Sequence, residues 1–155
     1  MVRVRRTGGK KGSKRHLLVE GHGVPLSLVV TGAHRHDITQ LDAVLDAIII
    51  ERPLPSEEAP QKLYADKAYV GKHAHESMVE RHYIPRVIPK GMETHAKKTI
   101  PAYRSRRWVV EACNSWFNRF RKLIVRYEKT SASYIALHHL AAAIICWRKI
   151  GVIYG

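Results

Sequence analysis

Lys62-Leu63-Tyr64-Ala65-Asp66-Lys67-Ala68-Tyr69 reads as a short buried strand over Lys62–Ala65 that ends on an acid. Further along, Arg107-Trp108-Val109-Val110-Glu111 falls in the first turns of a long amphipathic helix expected over Arg106–Leu123. On that helix Trp108, Val109, Ala112, Cys113, Trp116 and Phe120 form an apolar face, with Arg107, Glu111, Asn114, Asn118 and Arg121 on the other side. A carboxylate at a strand end and one on a helix can meet across a sheet edge, with a divalent ion between them. Hard cations such as Mg²⁺ take few protein carboxylates and keep places for phosphate oxygens. Two such ions can activate the attacking oxygen and stabilise the leaving oxygen of a phosphodiester. The bland alternative pairs Arg107 with Glu111 at i,i+4 on a solvated helix, worth about 0.3 kcal/mol.

Working outward, the segments before Lys62 read as two β-rich runs, Lys14–Glu20 and Leu26–Thr31, joined by Gly21-His22-Gly23-Val24-Pro25 as a hairpin. Asp37 then stands where it would cap a helix carrying Leu41, Val44, Leu45 and Ile48 at helical spacing. Glu51–Pro60, rich in proline and glutamate, is a solvated loop. After Asp66 come a helix over Gly71–His82, a strand over Tyr83–Ile88 that Pro85 and Pro89 mark as short or at an edge, a basic loop over Lys90–Pro101, and a last helix over Ser133–Ile150. A hairpin followed by alternating helices and strands implies an α/β fold, a mixed sheet with helices on its faces. Residues 1–13 hold Arg3, Arg5, Arg6, Lys10 and Lys11 around Gly8-Gly9 and read as a basic flexible arm, ahead of one domain over 14–155.

The 27 Lys and Arg against 13 Asp and Glu leave a net charge of +14, which points to a polyanion, since nucleic acid rewards such a surface through counterion release. A membrane partner is disfavoured. The apolar stretch Ile135–Ile145, broken by His138-His139, is too short to span a bilayer, and no apolar h-region follows Met1–Arg6, so the cytoplasm is the expected location. Cys113 and Cys146 sit among apolar neighbours and read as buried thiols, without the Cys or His spacing of a zinc site. His34-Arg35-His36 and His73-Ala74-His75 place their histidines two apart, which on a helix points them to different sides. One of His138 and His139 is expected in the core.

Several strings together resemble the DDE transposases of bacterial insertion sequences, specifically the family numbered five within the larger group numbered four. They are Lys11-Gly12-Ser13-Lys14-Arg15-His16-Leu17-Leu18-Val19, Gly23-Val24-Pro25-Leu26, Thr31-Gly32-Ala33-His34-Arg35-His36-Asp37, Ala65-Asp66-Lys67-Ala68-Tyr69 and Arg107-Trp108-Val109-Val110-Glu111. Asn118-Arg119-Phe120-Arg121-Lys122-Leu123 and the closing stretch from His139 to Arg148 are similar to that family too.

The resemblance implies an RNase H-like catalytic domain that hydrolyses a phosphodiester at a transposon end and joins the released 3′-hydroxyl to target DNA. It implies Asp66 and Glu111 as catalytic, metal-holding acids for Mg²⁺ or Mn²⁺, with Arg107, Asn118, Arg119 and Lys122 toward the DNA. It also places the family's first catalytic Asp on a strand just upstream of the Lys11–Val19 block, where Met1–Arg6 hold no acid. The expected fold therefore lacks the first strand, and catalysis by these residues alone is expected to fail. The chain then reads as the second product of a split reading frame, joined to an upstream-frame product, or as a truncated copy. A homodimer in the synapse is implied as well. The alternative is a catalytically dead, DNA-binding remnant. Glu20 reads as a turn residue and Asp37 as a cap, neither a third ligand.

Overall fold

The computed structural model describes residues 3–4, 12–87 and 107–153, with the side chains of residues 3, 4, 67, 107 and 153 outside the description. The expected Lys90–Pro101 loop lies outside these residues. Among the described residues five strands form two sheets: an antiparallel one in the order β1 (Arg3–Val4), β2 (Ser13–Val19), β3 (Pro25–Gly32), and a parallel pair of β4 (Gln61–Ala65) and β5 (Tyr83–Val87). Among the described residues the α-helices are α1 (Leu41–Asp46), α2 (Lys72–Glu80), α3 (Arg107–Phe117), α4 (Arg121–Ile124) and α5 (Ser131–Ile153).

Strand alternation assigns the helices to faces. Leu17 and Val19 of β2 and Leu28 of β3 pack with Val109, Val110, Cys113 and Phe117 of α3 and Tyr134, Ala141 and Ile145 of α5. Leu18, one residue out of step, packs instead with Leu41, Val44 and Leu45 of α1 and Ala74 and Met78 of α2. β4 divides in the same way: Tyr64 joins the α3–α5 side, while Leu63 and Ala65 join the α1–α2 side. Both sheets thus share the same two cores, and the arrangement is a mixed α/β one with helices on either face.

Four expectations are corrected. A strand does precede Lys14: Arg3 pairs with Leu17 and Val4 with His16. The backbone groups on that edge of β2 need partners, and an extended Arg-Val segment supplies them. Residues 5–11 of the expected arm lie outside the described residues. The helix expected from Arg106 through Leu123 stops at Phe117, because its last turn tightens to i,i+3 bonds (Arg119 N to Trp116 O, 3.2 Å; Phe120 N to Phe117 O, 3.1 Å) before α4 begins. On α3, Trp108 is 60% exposed and Asn114 only 6% exposed, the reverse of the expected faces. Asn114 lies four residues after Val110 and three before Phe117, inside the stripe those two bury. Finally, Ser131–Val152 of α5 is long and apolar enough to cross a membrane by length and composition, although a weak signal of that kind also marks helices of soluble proteins. Its buried residues Tyr134, His138, Ala141 and Ile145 form a single stripe against the core.

The β2–β3 hairpin closes on Gly23, whose φ of +92° favours glycine; a Cβ there would also come within 3.1 Å of the Trp116 ring. Glu20 braces this turn by accepting from the backbone N–H groups of His22 (2.7 Å) and Val24 (3.1 Å).

Candidate functional site

Asp66 leaves the C-terminal end of β4 and is half-buried. In α/β sheets ligands gather at that end of the strands, where side chains converge without filling the core. A one-turn 3₁₀ segment over Lys67–Tyr69 follows, closed by the Tyr69 N–H donating to the Asp66 carbonyl at 2.9 Å. That turn sends the Tyr69 ring into the α1–α2 core, where it is 2% exposed. Its hydroxyl is buried and finds no hydrogen-bond partner among the described residues. Burial and, behind it, the negative charges of Asp37 and Asp66 push the phenol well above its ordinary range, so it stays protonated.

Asp37 arrives from the other sheet. It begins a 3₁₀ turn over Asp37–Gln40 that has no side-chain cap, so the expected capping role is corrected. Asp37 Oδ1 instead accepts from Lys14 Nζ at 2.7 Å, and the same ammonium donates to the Arg35 carbonyl at 2.9 Å. The physical reason is burial: the Lys14 side chain is 7% exposed and Asp37 27%, so a charge removed from water takes a counter-charge in preference to leaving it to cap a turn. His16, two residues along the same face of β2, is buried, bonded to Thr31 Oγ1 at 2.8 Å, and held below its ordinary pKa mainly by that burial.

Glu111 is exposed on α3. Both Asp66 and Glu111 interact with other parts of the chain. The side chain of Arg107 lies outside the described residues. Asn118 is drawn inward: its Oδ1 accepts from Arg15 Nη2 at 3.1 Å, and the Arg15 guanidinium lies 4.7 Å from the centre of the Phe117 ring. Arg119 and Lys122 are exposed at the turn after α3 and on α4, free of the core. Sequence reasoning picks out Tyr69 and Lys67 beside Asp66 as supports of the site or phosphate contacts, but it missed Lys14, which stands inside a quoted string where nothing local marks a lysine in a strand as buried.

The donor chemistry of Asp66 and Glu111 suits a hard divalent ion, because carboxylate oxygens are what such ions take. Among the described residues no group of three or more His, Cys, Asp or Glu gathers to hold a metal. His34, His36, His73 and His75 are exposed, and of the pair in α5 it is His138 that is buried, bonded to the Tyr134 carbonyl at 2.9 Å. Neither cysteine is activated; burial pushes the Cys113 thiol up to about 12. A cleft of about 810 Å³ lined by Glu20, His22, Arg52, Lys62 and Tyr83 opens at the opposite, N-terminal end of β4, away from Asp66.

Three comparisons bear on this geometry. The family described as Transposase DDE domain matches residues 1–146. The chain is similar to a protein of Burkholderia cepacia named "Putative transposase for insertion sequence element IS402", with 33% identity over 143 residues. That match covers 91% of this chain and 65% of the relative, so the chain spans less than two thirds of the relative's length. No solved structure matches.

Proposed function

Given that the chain belongs to the transposase DDE domain family, we propose that it is the catalytic part of a DNA transposase of an insertion sequence, acting in the cytoplasm. The reaction is metal-dependent hydrolysis of a phosphodiester at a transposon end, followed by transfer of the freed 3′-hydroxyl into target DNA. The observation that supports the reading most is Asp66 at the exit of β4, within the family-matched stretch, at the strand end where α/β sheets place their ligands. The fold in this reading is RNase H-like.

Asp66 and Glu111 would hold Mg²⁺ or Mn²⁺. A divalent ion there supplies Lewis-acid polarisation of the phosphodiester. The chain's own residues bind and orient. Arg119 and Lys122 meet phosphates, which fixes register on the duplex without reading sequence, and Arg107 stands one helical turn before Glu111 to orient it or a phosphate. Asn118 contributes by holding Arg15 against Phe117, in addition to any contact it makes with DNA. Glu20 is engaged in the hairpin turn and Asp37 with Lys14, so neither is the third acid of the trio in this reading; an upstream-frame product or fusion would supply it, and a truncated copy without it would be a catalytically dead, DNA-binding remnant. Two copies in a synapse would bring both transposon ends together.

The test is ion mapping. With Fe²⁺ in place of Mg²⁺, peroxide and ascorbate generate hydroxyl radicals that cut the polypeptide beside the bound ion. Cuts are expected near both residues 66 and 111, and Asp66→Asn should remove both. Cutting near only one of them, or at neither, overturns the assignment of a shared ion.

A further inference from the structure

We propose that the outward face of α5 is a self-association surface, on which a second copy of this chain docks antiparallel about a two-fold axis between Leu140 and Ala143. The helix carries two stripes. Tyr134, His138, Ala141 and Ile145 are buried against the core. Ala136, Leu140, Ala143 and Trp147 each lie two residues further on, about 200° round the helix. These four and Ile150, one step beyond, are exposed, Trp147 to 75%. The steps of four, three, four and three residues are those of a coiled-coil seam, which offers a continuous apolar ridge to a partner helix.

The order of sizes along that ridge identifies the occupant. Ser133, also exposed, precedes Ala136 by one turn. Laid antiparallel on a copy of itself with Leu140 opposite Ala143, the ridge sets Trp147 opposite Ala136 and Ile150 opposite Ser133. Every large side chain then meets a small one, over about 26 Å of helix. A two-fold contact needs such self-complementarity, because one patch serves both subunits. A parallel pair would instead set Trp147 against Trp147 and Ala143 against Ala143, crowding one layer and hollowing the next.

Charge selects the same orientation. Residues 130–147 hold no Lys, Arg, Asp or Glu, and the cations Arg148 and Lys149 follow at the C-terminal end. A parallel pair would gather the cations of both copies, in a chain that already carries +14. The antiparallel pair sends them to opposite ends, each beside uncharged residues of the other copy. It also sets the negative C-terminal end of each helix dipole beside the positive end of the other. Two helices meeting over this length bury on the order of 1,000 Å² in total, the lower limit for a specific interface, so a micromolar dimer is expected. The contact gives the two-copy synapse of the reading above a surface. It needs neither DNA nor metal, so its failure leaves the catalytic reading standing.

The experiment is sedimentation velocity of the full 155-residue chain without DNA, in high salt to screen the repulsion between copies, with circular dichroism to confirm that each variant folds. A concentration-dependent dimer is expected, and Leu140→Glu, which sets two carboxylates beside the axis, should leave a folded monomer. Leu140→Ala hollows the central layers and Ala143→Leu overfills them, so each should weaken association about tenfold. The double variant Leu140→Ala, Ala143→Leu pairs large with small again and should recover most of the loss. A monomer at every concentration overturns the proposal, as does a dimer that Leu140→Glu leaves intact. A double variant no stronger than the weaker single variant overturns the antiparallel register.

A bilayer is the rival occupant, given the length and apolar composition of α5. Flotation with phosphatidylcholine vesicles, which carry no net charge to attract a basic protein, separates the two. The chain should stay with the soluble fraction; flotation that Leu140→Glu abolishes would assign the face to lipid and overturn the proposal.

Discussion

Lys14 Nζ lies 2.7 Å from Asp37 Oδ1, joining the start of β2 to the turn after β3 across 23 residues of sequence, and the lysine is the more deeply buried of the two. The asymmetry sets an order of costs. Asp37→Ala strands a buried ammonium and should destabilise the fold by about 3 kcal/mol. Lys14→Met leaves a carboxylate that can still reach water and should cost about 1–2 kcal/mol. Urea unfolding of both variants at pH 7.5 checks the order; a larger loss for Lys14→Met would contradict it.

Acid sensitivity should follow from two buried histidines. Burial lowers the pKa of His16 and His138 below their ordinary 6.5. As pH falls through 6.5 the unfolded chain takes up protons at these positions before the folded chain does. Their stabilising effect is therefore complete above about pH 6.5 and is lost progressively below it, at up to about 1.4 kcal/mol per pH unit for each group. Unfolding midpoints measured between pH 7.5 and 5 should show the decline, and His138→Gln should make it shallower.

The basic turn after α3 should separate into DNA-facing and structural members. Arg119→Gln and Lys122→Gln should each reduce the slope of log affinity against log salt by about 0.9 on duplex DNA. Asn118→Ala should leave that slope unchanged and lower thermal stability, because its oxygen holds Arg15. Fluorescence anisotropy across a salt series distinguishes the two behaviours.

Gly23→Ala should be costly for two separate reasons, its left-handed φ and the Trp116 ring that the new methyl would meet. A loss of more than about 1 kcal/mol is expected. Trp116→Leu in the same background should recover part of that loss by removing the contact, leaving the backbone component, and thermal melts of the three proteins measure both.

Sequence alone marks the elements whose signals are local, the β-rich runs either side of the turn residues Gly21–Pro25 and the three- and four-residue steps of Val109, Ala112, Cys113 and Trp116, but not β1 or the break before α4. It also marks Asp66 and Glu111 as the acids to examine, since each lies in a distinctive string. Tertiary structure alone decided what the polar groups do. Asp37 has the local pattern of a cap, yet it serves a lysine 23 residues away, and Asn118, on the helix's polar side, serves Arg15 across 103 residues. The orphaned Tyr69 hydroxyl and the buried Asn114 belong to the same class. A buried charge or hydroxyl takes the partner that folding places beside it, and its energy depends on desolvation by many residues at once, which no window of neighbouring sequence contains.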